Sequence, residues 1–489
     1  MSRILTSLAL AALFLVPSTA AAQSANAKPA PGSPTADRLP IYEIDPTWPP
    51  TLPNDWIFGD IRGLFADDRD HLWVIHMPSS LTPQEIGAAV KPPIADCCVP
   101  APPVLELDAA GKVLRAWGGP GNGYTWFEQE HGIYIDHNGF VWMGTSNGMH
   151  VMKFTRDGKH VLTIGEPGVN KGSNDPDHLG GPANFYVEPK TNEIFIADGY
   201  INKRVVVYDA ATGKYKRHWG GPGEGYTWYS QEHGIYIDHN GFVWTGTSNG
   251  MHVMKFTQDG KHVLTIGEPG VNKGSNDPDH LGGPANFYVE PKTNELFIAD
   301  GYINKRVVVY DAATGKYKRH WGAYGKPPDD TQKYKYPVNV ANPPQQYSTL
   351  HGLVGSKDGL IYVSDRRGNR IQVFRQNGEY LMEKFVRPET GGSGSGFSLQ
   401  FSRDPDQSLL YLIDGTNQRV WILRRKDLAI LDRFGRPGRQ SGEFIRAHMI
   451  AIDSKNRMYT GEAGNGRRIQ RWILKGTRPA SSVKPPAQE

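Results

Sequence analysis

Four histidines open four apolar runs in the same way: His131 and His233 before "GIYID", His351 before "GLV" and His448 before "MIAID". An aromatic residue follows each at a fixed offset, namely Trp142, Trp244, Tyr362 and Tyr459. Neutral imidazole is the commonest metal-binding side chain, and histidines that converge with no acid among them suit zinc, copper or iron better than calcium. A histidine at a strand head also has a plainer use, a hydrogen bond to a nearby backbone group. Tyr200 and Tyr302 stand in identical "ADGYINKRVVVYD" stretches, where a tyrosine serves either proton transfer or packing over a turn. Arg62 holds the histidines' register in another run, suited to gripping a substrate carboxylate or to pairing with one of the fold's own.

These side chains matter together only if the elements that bear them meet. Trp117 to His218 and Trp219 to His320 match at an offset of about 102 residues, with few differences, such as Asn122/Glu224, Phe127/Tyr229 and Met143/Thr245. Inside this tandem duplication runs a period of about 50 residues, the length of a four-stranded propeller blade. "GLIYVSDRRGNRIQVFRQNGEYLMEKF" (Gly359 to Phe385) shows it most plainly, with alternating strands joined at "NG", as "DG" and "TG" join them elsewhere. Unit heads fall near Arg62, His131, Ala183, His233, Ala285, His351, Phe397 and His448. The expected fold is all-β: an eight-bladed propeller, six blades plus a duplicated pair, closed by a strand from Leu39 to Asp45. The first strand of each blade lines the axis, so residues in one register lie at one height around it, with a histidine on every second blade.

The expected domain order is a signal peptide over 1–22, a disordered leader over 23–38, the propeller over 39–476 and a disordered tail over 477–489. The signal is the apolar run from Ile4 to Leu15, then Pro17 and small residues up to Ala22. It implies a secreted or periplasmic protein without membrane insertion, since no later run reaches the length of a spanning helix. The formal net charge of +4 is mild and dispersed, which argues against a nucleic-acid partner. The only cysteines, Cys97 and Cys98, are adjacent; a vicinal disulfide, free thiols and a bond to another chain are all open. They lie in a segment inserted in blade one, 78–102, read as a lid or an edge loop.

At these residues the chain resembles the NHL-repeat propellers, and among them the peptidyl-hydroxyglycine alpha-amidating lyases and their bacterial relatives. The resemblance rests on the alternate blade-head histidines, on "ADGYINKRVVVYD" and on "YVSDRRGNRIQVF", and covers nearly all the chain from about Leu39. It implies three histidines holding a zinc on the axis, with His351 and His448 matching the second and third, and both His131 and His233 matching the first. It also implies a catalytic tyrosine, matched by both Tyr200 and Tyr302, and a substrate that is a small molecule or a peptide carboxy-terminus. The reaction implied is cleavage of a carbinolamide C–N bond to give an amide and glyoxylate. Two departures stand out. Met77 replaces an arginine that grips the substrate carboxylate, for which Arg62 and Arg446 are substitutes; Met449 replaces a calcium-holding aspartate, so calcium is not carried over. Eight blades also set four histidines around a wider axis than six blades would.

The loop "NKGSNDPDHLGGP" offers Asp175, Asp177 and His178 and reads as a solvated loop sooner than a second metal site; "GGSGSGF" (Gly391 to Phe397) reads as a linker. Two functions remain in view: a monomeric, exported, metal-binding lyase using zinc or else copper or iron, and a non-catalytic propeller that binds a peptide, glycan or protein on its top face. A lactonase-like hydrolase ranks behind both, because acidic and amide side chains are lacking at the channel positions.

Overall fold

The computed structural model describes residues 38–482 except 122, 128, 146–147, 200, 221–225, 229–233, 248–249, 403, 446 and 456; the side chains of 131, 183–184, 234–237, 247, 447–448 and 480 are likewise outside the description. The signal segment and leader over 1–37 therefore lie outside the described residues, as do Tyr200, His233, Arg446 and the side chains of His131 and His448.

Strands form eight four-stranded antiparallel sheets, in chain order except for the last, where Arg38–Ile44 supplies the outermost strand beside Ile469–Pro479. The chain is thus an eight-bladed propeller fastened by its N-terminal strand, as the repeat implied. The middle strands are buried almost throughout, as in Leu72–Met77, Glu193–Asp198 and Arg306–Asp311, which lets a blade pack on both faces. Among the described residues the hydrophobic core falls into eight clusters, and each spans two neighbouring blades. The cluster joining Ile61 and Leu72 of blade one to Tyr459 and Ile469 of blade eight shuts the circle; an open arc of eight blades would have seven such seams.

The recurrent aromatic at the second strand is explained by a buried hydrogen bond. Trp73, Trp142 and Trp244 donate their indole N–H to Asp67, Asp136 and Asp238 at 3.0, 2.7 and 2.7 Å, and Tyr459 donates to Asp453 at 3.0 Å. These partners satisfy the one polar atom of an otherwise apolar plug.

Chain direction sorts the connections. With up-and-down strands, the turns between second and third strands share one face of the disk with the links between blades, and the heads of the first strands open on that same face. The "ADGYIN" turns, the "NKGSNDPDHLGGP" loops, the blade-one insertion and the long link before blade six, 322–349, all gather there. At the strand heads a β-bulge leaves one residue out of register: Arg62, Ala183, Ala285, His351 and His448 in their own blades, and Gly132 beside His131. A bulge re-aims a side chain away from the regular pleat, and here it falls on the positions that the alignment singles out.

Candidate functional site

The best-described part of the channel lies where blades five, six and seven meet. His351 heads Leu350–Gly355, the inner strand of blade six. Its Nδ1 donates to the carbonyl of Phe397, the head of blade seven, at 2.8 Å. Its Nε2 is buried and has no partner among the described residues. Burial, with Arg366 nearby, pushes the imidazole pKa down to about 4, so the ring is neutral and Nε2 carries a free lone pair. A histidine fixed by Nδ1–H on a backbone carbonyl, with Nε2 bare, is the arrangement in which imidazole serves as a metal ligand.

Tyr302 approaches from blade five. Its ring meets that of His351 edge to face, with centroids 5.9 Å apart. The turn that presents it is held by a buried hub: Asp300 accepts from Gly282 N–H at 2.7 Å, Asn304 Nδ2 at 2.7 Å and Arg306 Nε at 2.9 Å. Arg306, fully buried, donates onward to the carbonyls of Ser275, Asp277 and His280. Gly301 is required for closeness: a Cβ there would collide with the carbonyl of Leu350, the residue before His351. Tyr302 keeps 39% of its surface open, while burial raises its phenol pKa and Arg366 pulls the other way.

Arg366 completes the group, and sequence reasoning missed it. It follows Asp365 at the end of Leu360–Asp365 and lies over two rings, 6.0 Å from Tyr302 and 5.3 Å from Phe397. Asp365 is already taken by Arg370, whose Nε donates at 3.2 Å. Arg366 makes no ion pair among the described residues, and its Nε is buried without a partner. A half-buried guanidinium lacking a carboxylate is poised to accept an anionic group.

Arg62, the arginine expected to act here, is spent differently: its Nη2 lies 3.3 Å from Asp60 and 3.6 Å from the sulfur of Met77. Arg62 thus lies against Met77 while sharing its charge with an acid. Glu130, just before His131, takes the Trp126 indole N–H at 2.9 Å, and burial raises its pKa. The insertion over 78–102 is tied down by Arg467 of blade eight, which contacts Glu85 and the Ser80 carbonyl, and its two cysteines form a vicinal disulfide.

One other group gathers ligand-type side chains, and no sequence signal had marked it. Asp67, His71 and Glu106 bring ligand atoms within 4.8 Å of one another. Arg156 pairs with Asp67 at 2.6 Å, His71 with Glu106 at 2.8 Å, and Arg115 also pairs with Glu106. A cation would have to displace two guanidiniums, so the group reads as an ion-pair knot, and its Asp67–His71 turn lies on the face opposite Tyr302. The loop histidine His178 is bracketed by Asp175 at 2.7 Å and Glu166 at 2.9 Å, which raise its pKa; it fastens the loop.

No protein-family model matches the chain. Curated relatives do: peptidylglycine alpha-amidating monooxygenase of Rattus norvegicus is 33% identical over 244 residues, 47% of this chain and 22% of that protein. Peptidyl-alpha-hydroxyglycine alpha-amidating lyase 2 of Drosophila melanogaster is 38% identical over 114 residues, 22% of this chain and 25% of that one. NHL repeat-containing protein 3 of Homo sapiens is 28% identical over 167 residues, 32% and 46% respectively. The chain thus spans about a quarter of the first two relatives' length. Among solved structures, a virginiamycin B lyase from Staphylococcus aureus covers 89% of this chain and 100% of its own at 11% identity and a TM-score of 0.45. The chain is an eight-bladed propeller whose homologues are peptidyl-alpha-hydroxyglycine alpha-amidating lyases and an NHL-repeat protein.

Proposed function

We propose that the chain is an exported, metal-binding lyase that cleaves the carbinolamide C–N bond of a carboxy-terminal hydroxyglycine. The observation that carries this reading is His351: buried, neutral, locked through Nδ1 and bare at Nε2, beside a tyrosine and an arginine that has no carboxylate partner among the described residues. His351 fits a metal by chemistry and tautomer, and His448 with His131 or His233 would complete the set, zinc being the first expectation. A bound metal ion would withdraw charge from the substrate hydroxyl and ease loss of its proton.

The chain's own residues supply the rest. Arg366 binds the substrate carboxylate and orients the carbinol carbon toward the axis. Tyr302, a neutral phenol in this setting, holds a proton at Oη for the departing amide nitrogen. As the hydroxyl releases its proton to solvent, its C–O becomes C=O, the C–N bond breaks with its electron pair going to nitrogen, nitrogen takes the Tyr302 proton and the tyrosinate regains one from solvent, releasing amide and glyoxylate. Phe397 and the ring of Tyr302 narrow the site and keep water from the scissile bond.

Export rests on the apolar segment at the N-terminus, and the vicinal disulfide is consistent with an oxidising compartment. The test is metal analysis of the purified protein together with glyoxylate release from a hydroxyglycine peptide. About one equivalent of transition metal, lost in His351→Ala together with activity, supports the reading. Metal-free protein of full stability that binds peptides without cleaving them would replace it with a non-catalytic propeller.

A further inference from the structure

The stretch "GGSGSGF" before blade seven has the composition of a flexible linker, but only its first residues are free to behave as one. Gly391 and Gly392 are exposed, whereas Gly394, Ser395 and Gly396 are buried. Each buried residue is tied to a blade. The Gly394 carbonyl accepts from Thr416 Oγ1 of blade seven at 2.6 Å. Ser395 reaches into blade six, where its N–H donates to Asn369 Oδ1 at 2.9 Å and its hydroxyl to the Val386 carbonyl at 2.6 Å. Gly396 is held on both sides of Asp365: its carbonyl accepts from Ser364 Oγ at 2.5 Å, and its N–H donates to the Arg366 carbonyl at 3.4 Å.

Glycine is what allows this approach. A Cβ on Gly394 would stand 1.9 Å from the Arg366 carbonyl oxygen, while one on Gly391 would meet nothing within 4 Å. Phe397 then touches the site with both its backbone and its ring. Its carbonyl accepts from His351 Nδ1 at 2.8 Å, and its ring centroid lies 5.3 Å from the Arg366 guanidinium. The two rings of Phe397 and His351 are in looser contact, with centroids 6.4 Å apart. Phe397 is itself fixed by its N–H, which donates to the Ile413 carbonyl at 3.0 Å. Four consecutive residues thus hold Arg366 at its backbone and at its head, and hold the ring of His351 as well.

We propose that 394–397 is the positioning brace of the site and that Phe397 is its positioning residue. The Phe397 carbonyl orients His351 toward a metal ion, and the Phe397 ring orients Arg366 toward a substrate carboxylate. The inference rests on the roles proposed for His351 and Arg366, and deepens them by naming what sets the metal-binding and anion-binding groups relative to each other. The two duties are separable. An aromatic face restrains and stabilises the guanidinium that lies against it. A backbone carbonyl behind a ligating imidazole fixes the orientation of that ring.

The experiment uses the full mature chain and reads binding apart from turnover. Zinc affinity is measured by chelator competition, and binding of acetyl-glycine, an uncleavable carboxylate, by calorimetry on the zinc-loaded protein. Phe397→Leu keeps the carbonyl and loses the ring; it should weaken acetyl-glycine by about 3–10-fold and leave zinc within about 3-fold. Phe397→Tyr, which keeps the ring, should retain both affinities. Gly394→Ala, pressing on the Arg366 carbonyl, should weaken both ligands, zinc by about 10-fold or more. Gly391→Ala should change neither. If Gly394→Ala does not fold, Thr416→Val, which removes one hydroxyl from the Gly394 carbonyl, should weaken both by about 3-fold. Native affinity for both ligands in folded Gly394→Ala or in Thr416→Val, a loss in Gly391→Ala equal to that in Gly394→Ala, or native acetyl-glycine binding in Phe397→Leu overturns the inference. A native chain that binds neither zinc nor acetyl-glycine overturns it together with the proposed function. The expected pattern of affinities without glyoxylate release from a hydroxyglycine peptide leaves the brace standing and overturns the lyase reading alone.

Discussion

Tyr200 and Tyr302 stand in identical stretches of two nearly identical copies, yet different blades follow them in the chain. The blade after Tyr302 carries Arg366 and is entered through the long link over 322–349; in the blade after Tyr200, sequence alignment places Ser248 at the arginine's position, and the entering link is about half as long. Structural contacts ignore this difference. Arg217 of the first copy reaches the carbonyl of Gln258 at 2.7 Å, and Arg319 of the second reaches the carbonyl of Gln376 at 2.7 Å, in blades of unlike sequence. A seam built on backbone carbonyls accepts any neighbour, whereas chemistry needs particular side chains from it. Duplication could therefore enlarge the ring without rebuilding its seams, while on the proposed reading only Tyr302 is followed by a blade that carries the arginine.

The sharpest way to break this comparison is to remove each phenol in turn. Tyr302→Phe should lower glyoxylate release by about 10²–10⁴-fold, the usual weight of a positioned proton donor. Tyr200→Phe should stay within about 3-fold. Equal losses would mean that both junctions are active, and a loss confined to Tyr200→Phe would reverse the assignment.

A second comparison concerns the hubs beneath the two turns. Asp198 with Arg204 and Asp300 with Arg306 are fully buried pairs at 2.8 and 2.9 Å. Removing one partner strands a buried charge, so Asp198→Ala and Asp300→Ala should each cost about 3–5 kcal/mol in denaturant unfolding. Only the second should also lower kcat in the protein that stays folded, because the proposed proton donor, Tyr302, stands on the turn that Asp300 holds.

Arg366→Met should raise KM for a hydroxyglycine peptide by about 10–100-fold, in keeping with about 1.5–3 kcal/mol for a charge-assisted contact, and leave stability nearly unchanged. An Arg62→Met variant provides the contrast: because Asp60 already shares its charge, a smaller KM effect is expected. Should Arg62→Met prove the more damaging, the carboxylate site belongs at blade one.

The smallest effect tests the indifferent seam. Glu193, held by Arg217 and Lys216, has its carboxyl pushed down to about 2, and its copy Glu295 is lowered by Arg319 and Lys318 against burial. A depressed carboxylate stabilises the fold above its unfolded pKa, about 4.5, and that stability drains away as pH falls toward 2. Because the basic partners are partly exposed, Glu193→Gln should cost about 1 kcal/mol at pH 7, about half of that or less at pH 3 and close to nothing once the pH is below about 2. Glu295→Gln should match it within about 0.5 kcal/mol.

Fold and site differed in how far the sequence exposed them. The eight blades were legible because strand alternation, tight-turn dipeptides and the duplication are local signals, and the closing N-terminal strand needed only an unpaired outer position in blade eight. The histidine register was legible for the same reason, since the bulge falls on the aligned head residue in five blades and one residue later, at Gly132, in blade two. Arg366 was not, because "SDRRGNR" offers three arginines to one aspartate and only the folded turn shows Arg370 taking Asp365. Nor could composition reveal that "GGSGSGF" ends in a pinned segment, since its anchors are mostly backbone groups that carry no sequence signature.

The most direct test of the account is the stoichiometry of glyoxylate and amide released from a hydroxyglycine peptide by the mature protein, run beside folded His351→Ala, Tyr302→Phe and Tyr200→Phe variants. The account predicts one glyoxylate per amide from the native chain and from Tyr200→Phe, and little from the other two. Release that survives His351→Ala and Tyr302→Phe, or no release above the uncatalysed rate from metal-loaded native protein, would contradict it.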